Sequence, residues 1–304
     1  MNRKVLLLAD MEGCCGIRDF KNEESCQKKM IDEVAFVIKC IDSFANFTIT
    51  VADCHNQGLT LRDFCEKNNI CFVNHIWNLQ DIGQYDLAFL VGFHGKANSK
   101  GWFSHTIRPD ITNVFLGNRS VGEVSLLINY LAYYNVPVNF ISGDYSISEE
   151  LIGYKGEFWE TKRVGELPKE LDAQKDFIAD VVGRALSHNN CAEYIQENIL
   201  IDLKGKHTMN FIPPECAIKV KGKLYYENVN CFFSKLYSLC QYLNLASSYQ
   251  DIRLKALCEN IGEEERKKII SDSRGNFILF QKDCYELTDE EFEYLYGLIG
   301  DFQK

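Results

Sequence analysis

The sequence predicts an α/β protein: a largely parallel sheet flanked by helices, followed by a smaller α+β C-terminal part. Three observations carry that reading. Short, continuously apolar runs recur through the first half, the pattern of strands buried on both faces. Stretches of helical length separate them, as the crossovers between parallel strands require. Several runs end in a residue able to bind a metal or move a proton, and functional groups in such sheets gather beyond the carboxyl ends of strands.

The strand candidates, in order, are residues 4–10, 47–53, 70–74, 87–94, 113–117 and 138–142. The first is Val5-Leu6-Leu7-Leu8-Ala9 running into Asp10-Met11-Glu12-Gly13. Residues 25–46 and 59–68 read as amphipathic or mixed helices. The strongest helix is 121–134, with Val121, Val124, Leu127, Ile128 and Leu131 near helical period. Beyond it, 168–186, 231–245 and 252–270 look helical, and 207–226 suggests a strand and hairpin around Pro213-Pro214. A last helix starts at Thr288, where Glu291 completes a capping box and Leu287 and Phe292 occupy the staple positions. A soft boundary near 165 divides a catalytic domain, 1–165, from a C-terminal region, 166–304, expected to supply pocket and oligomer contacts.

Bulk properties narrow the function classes. A chain of 304 residues can bury a large core in one domain or two. The net charge of −10 argues against nucleic acid as the main partner and against an anionic membrane surface. No apolar segment is long enough to span a bilayer. The N-terminal run stops at Asp10, too short for a secretory core. The 13 cysteines are odd in number and lack CxxC spacing, so they read as reduced thiols and the expected location is the cytoplasm.

Asp10 and Glu12 lie two apart where a buried strand meets a Gly-bearing loop, so both can face one point. Like charges held that close need a cation or a proton. His55 follows the second strand in Asp53-Cys54-His55, and His94 ends Val91-Gly92-Phe93-His94-Gly95. Glu123 sits in the first turn of the strongest helix, where it either caps the helix dipole or ligates a metal. Asp144 ends a further strand. Three carboxylates and two imidazoles suit Zn²⁺, Mn²⁺ or Fe²⁺, and five donors exceed the need of one tetrahedral ion. A bridging carboxylate would let two ions share them and activate a common water for hydrolysis. His105, in Ser104-His105-Thr106, then remains for proton transfer or oxyanion stabilisation. His75, His188 and His207 lack comparable surroundings. Walker A, GxGxxG and Gly-x-Ser-x-Gly patterns are absent, and Glu12 with no Thr after Gly13 departs from Asp-x-Asp phosphotransferases. Cys14 and Cys15 read as packing residues rather than nucleophiles, having no assignable His partner.

Six ordered blocks resemble one family: Asp10-Met11-Glu12-Gly13 with Gly16, Asp53-Cys54-His55, Gly92-Phe93-His94, His105-Thr106, Gly117-Asn118 with Gly122-Glu123, and Ser142-Gly143-Asp144. Together they resemble the D-aminopeptidase (DppA-type) family of zinc metallopeptidases over residues 4–145, with a looser likeness at 276–280. The resemblance implies an α/β fold and two zinc ions held by Asp10, Glu12, His55, His94 and Glu123, with Asp10 bridging and His105 catalytic. It further implies release of N-terminal D-residues from short peptides and a homo-oligomer, a ring in the family's characterised form. The nearest alternatives are an amidase acting on a non-peptide metabolite and a non-catalytic paralogue binding peptide or metal. Cys14, Cys15 and Tyr145 depart from the family pattern close to the site, and 146–275 matches it poorly.

Overall fold

The computed structural model describes residues 2–203, 218–220, 223–240 and 243, apart from single positions 45, 57, 109, 152 and 189. Its centre is a six-stranded sheet of β1 (Arg3–Ala9), β2 (Phe47–Asp53), β3 (Cys71–Asn74), β4 (Leu87–Phe93), β7 (Val138–Asp144) and β8 (Glu157–Lys162), in the order β3-β2-β1-β4-β7-β8. Every neighbouring pair is parallel. The chain builds outward from β1 to β3, then returns to place β4 on β1's other side, so a topological switch point lies between β1 and β4.

The central strands are apolar throughout because both faces are covered: Val5 to Ala9 are fully buried, and so is all of β4. On one face α1 (Glu23–Asp42) and α4 (Lys175–Ser187) pack on Val5, Leu7, Phe89, Val91 and Phe140. The buried residues Met30, Val34, Val37 and Ile41 recur at helical spacing along α1. Each contributes roughly 1.5–3 kcal/mol by leaving water. The Asn22 side chain caps α1 by accepting from the Ser25 amide at 2.9 Å. Between β2 and β3 lies the short helix α2 (Arg62–Lys67).

Beside this sheet, β5 (Ile111–Leu116) and β6 (Arg119–Val121) form an antiparallel hairpin, with β9 (Ile199–Leu203) on β5's other side. The hairpin corrects the start of the predicted 121–134 helix. Gly117, at φ +59°, opens a two-residue Gly-Asn turn, and pairing of Val121 with Val114 takes 119–121 into a strand. The helix α3 therefore runs Glu123–Tyr133, and Glu123 becomes its first residue. Similarly, the helix expected over 168–186 opens as a 3₁₀ turn, Leu171–Gln174, before α4 begins. The edge strand β8 escapes the apolar-run signal because Glu157, Glu160 and Lys162 interrupt it.

Chain contacts divide the protein into two compact units. The first comprises residues 1–202 with 225–234, and holds the six-stranded sheet. In the second, 203–224 with 235–304, the described parts include β10 (Ile218–Val220). Next in the chain comes β11 (Lys223–Tyr226), and residues 229–240 are helical, starting two residues before the helix expected over 231–245. The expected 252–270 helix, the Thr288 capping box, the 276–280 block and His207 lie outside the described residues. No described helix is long and apolar enough to cross a membrane. No disulfide joins any two of the ten described cysteines.

Candidate metal centre

Register brings the site together. Ala9 pairs with Asp53 on one side and with Val91 on the other, so β1 and β2 end level and β4 runs two residues further, to Phe93. The residues that follow, Asp10, His55 and His94, therefore meet at the switch point. Strand β1 stops at Ala9, and Glu12 lies in a turn closed by the Cys14 amide donating to the Met11 carbonyl at 3.0 Å. The turn, rather than strand alternation, points Glu12 toward Asp10. A register shift between Leu90 and Phe93 re-aims the end of β4 as it reaches His94. Gly13 has to be glycine: a Cβ there would lie 1.6 Å from the Phe93 carbonyl oxygen.

All six residues singled out in the sequence converge. His55 Nδ1 lies 2.9 Å from Glu12 Oε2 and 3.4 Å from Asp10 Oδ1. His94 Nε2 lies 3.4 Å from Asp10 Oδ2 and 3.4 Å from Glu123 Oε1. His105 Nε2 stands 4.0 Å from Glu123 Oε1, and its ring stacks on that of His94 at 4.0 Å. Two triads of donor atoms fall within 4.8 Å of one another: Asp10, Glu12 and His94, and His94, His105 and Glu123.

The ring orientations are set by backbone carbonyls. His94 Nδ1 donates to Gly95 O at 2.9 Å and His105 Nδ1 to Phe103 O at 2.8 Å, leaving each Nε2 to face the cluster. The Glu123 carboxylate accepts from the Ile107 amide at 2.6 Å. His105 rides on a loop tied by Ala97 N to Thr106 Oγ1 at 3.0 Å and by Trp102 N to Asp144 Oδ2 at 2.8 Å. Asp144 and Asp53 therefore organise loops instead of joining the cluster. Asp53 takes the amides of His55 and Leu61 at 3.1 and 3.0 Å. Cys14 is fully buried and its thiol contacts Asp10 O at 3.1 Å. Burial, with Glu33 nearby, pushes that thiol far up, out of the range of a nucleophile.

The electrostatics describe a donor set suited to cations. Burial, reinforced by Glu12, pushes Asp10 up to about 7. Against their burial, His55 is raised to about 11 by hydrogen bonds to Asp10 and Glu12, and His94 to about 10 chiefly by Glu123. Glu12, also against its burial, is held well below the usual carboxylate range by the hydrogen bond with His55, and Glu123 is lowered by His94. Protons on the imidazoles thus balance the carboxylates. Even so, Asp10 Oδ2 is buried and, with His94 Nε2 3.4 Å away, accepts no well-formed hydrogen bond among the described residues. A buried carboxylate oxygen left unmatched is costly, and a divalent cation satisfies it. Mixed carboxylate and imidazole donors suit zinc.

A family model described as D-aminopeptidase matches residues 3–164, more than half of the chain. The chain belongs to the D-aminopeptidase family. The D-aminopeptidase of Bacillus subtilis (strain 168) is 26% identical over 165 residues, covering 48% of this chain and 58% of that relative. The match thus spans less than two thirds of the relative's length. Among solved structures, the fold resembles that of the Zn-dependent D-aminopeptidase DppA from Bacillus subtilis, described as a self-compartmentalizing protease. That likeness has a TM-score of 0.70 at 17% identity and covers 79% of this chain and 97% of the other. All six converging residues fall inside the matched 3–164 segment.

Proposed function

We propose that this family member is a zinc-dependent aminopeptidase that releases N-terminal D-residues from short peptides at a two-ion centre. One observation carries the two-ion reading: the Asp10 carboxylate faces two ways. Its Oδ1 points to His55, beside Glu12, and its Oδ2 to His94, beside Glu123. Asp10 would be shared between the two ions, and Glu12, His55, His94 and Glu123 would hold their outer sides. The zinc-dependent neighbour supports the metal, and its self-compartmentalizing nature supports an assembly of copies of this chain.

Bound zinc supplies a Lewis acid and lowers the pKa of water held beside it. The chain's own residues supply the rest. The His105 side chain is one-quarter exposed, and its Nε2 stands 4.0 Å from Glu123 Oε1 at the cluster. With Nδ1–H fixed on Phe103 O, Nε2 is the atom that takes a proton from the attacking water and returns it to the leaving amine.

The test is metal analysis of the purified protein with a panel of L- and D-aminoacyl amides, before and after chelation. Stoichiometric zinc and D-amide hydrolysis that chelator removes and zinc restores are the expected results. Chelator-insensitive hydrolysis, or protein that takes up no zinc, overturns the reading; turnover of L-amides alone overturns the stereochemical part.

Zinc uptake should also release protons. His55 and His94 carry raised values of about 11 and 10 in the metal-free site, so both hold a proton at neutral pH. Zinc must displace those protons, about two per site, together with the proton that Asp10, raised to about 7, still holds below neutral pH. The competition weakens as pH rises, so zinc affinity should climb steadily between pH 6 and 9. Calorimetry in buffers of different ionisation enthalpy counts the protons; a pH-independent affinity contradicts the assignment.

A further inference from the structure

Two buried side chains at the end of β8 have no part in the chemistry, yet they hold the loop that carries Glu12. Lys162 is 1% exposed, and its Nζ donates to the Glu12 carbonyl at 2.7 Å and to the Ile17 carbonyl at 2.9 Å. Thr161 is fully buried and donates from Oγ1 to the Gly13 carbonyl at 2.5 Å. A buried ammonium is costly, and an apolar side chain of similar length would fill the same space without that cost. Pairing of β8 with β7 uses the backbone alone and does not need it.

What the ammonium does is fasten two carbonyls at opposite ends of one loop. Other buried side chains grip the same loop. Glu33, fully buried in α1, accepts from the Cys15 amide at 2.7 Å and from Ser142 Oγ at 2.7 Å. Ser142 Oγ in turn accepts from the Gly92 amide at 2.9 Å, and Gly92 O accepts from the Gly13 amide at 2.8 Å. These bonds fix the backbone from which the Glu12 carboxylate reaches to 2.9 Å from His55.

We propose that Thr161 and Lys162 are positioning residues for the metal centre, and that their hold on the Glu12 and Gly13 carbonyls sets how tightly the centre binds zinc. The inference rests on the zinc reading given above. Outer residues that orient metal ligands typically change affinity by about 10–100-fold when removed.

The experiment is competition for zinc between a chelator of known affinity and the full-length protein, as wild type, Lys162→Met and Thr161→Val. Melting of each metal-free form is recorded alongside. Lys162→Met should weaken zinc binding by about 10–100-fold and Thr161→Val by a smaller factor, while both still melt cooperatively. Lower melting with wild-type zinc affinity marks a purely structural role and overturns the proposal. If Lys162→Met does not fold, Thr161→Val decides: weakened zinc binding supports the proposal and unchanged binding overturns it. Wild-type protein that takes up no zinc overturns the zinc reading itself, and is told apart by needing no variant.

Discussion

Asp10→Ala should lose zinc and hydrolysis together, with kcat/KM down by about a thousandfold or more, the scale of a Lewis acid worth several kcal/mol. Asp10 directly follows the central strand, where neighbours on both sides present imidazoles. Its two oxygens lie 3.4 Å from His55 and 3.4 Å from His94, so one carboxylate joins the two halves of the cluster. Removing it leaves Glu12 with His55 on one side and Glu123 with His94 on the other, with no shared ligand between them. Metal content after dialysis and steady-state rates on a D-aminoacyl amide check the result. A variant that keeps two zinc ions per chain would remove Asp10 from the bridging role.

His105→Ala should behave differently: it should keep its zinc and lose about 10²–10⁴-fold in kcat, with KM little changed. Its Nδ1 is committed to Phe103 O at 2.8 Å, and its Nε2 is 4.0 Å from Glu123, longer than the contacts His55 and His94 make with their carboxylates. The ring also stacks on that of His94 at 4.0 Å. Yet His105 Nε2 belongs geometrically to the triad with His94 and Glu123. Zinc content therefore separates the two roles. Loss of one ion per chain in His105→Ala would make it a ligand; full zinc with a collapsed kcat makes it the proton carrier.

Much of this site was legible in the sequence because parallel strands write their ends plainly. A buried strand must be apolar on both faces, so the first polar residue after Val5-Leu6-Leu7-Leu8-Ala9 marks the sheet edge. The same logic located His55 and His94. Asp144 followed the same pattern, but its carboxylate takes the Trp102 and Ser146 amides. An acid at a strand end can bind a metal or cap a loop, and local sequence does not distinguish the two. The β5–β6 hairpin did have a signal, the Gly117-Asn118 pair, but the apolar period of α3 ran back over it. Lys162 had none, since a lysine in Glu160-Thr161-Lys162-Arg163 reads as a solvated charge.

The sequence by itself determined the fold class, the order of the central elements and the identity of the six residues that meet. Those depend on local polarity and period, which a linear chain carries in full. Only the tertiary structure decided how they meet. The strand order puts β1 between β2 and β4, the turn after Ala9 swings Glu12 beside Asp10, and buried Lys162 and Glu33 hold that turn in place. These are contacts between residues far apart in the chain, set by which strand lies beside which, and no local pattern records them.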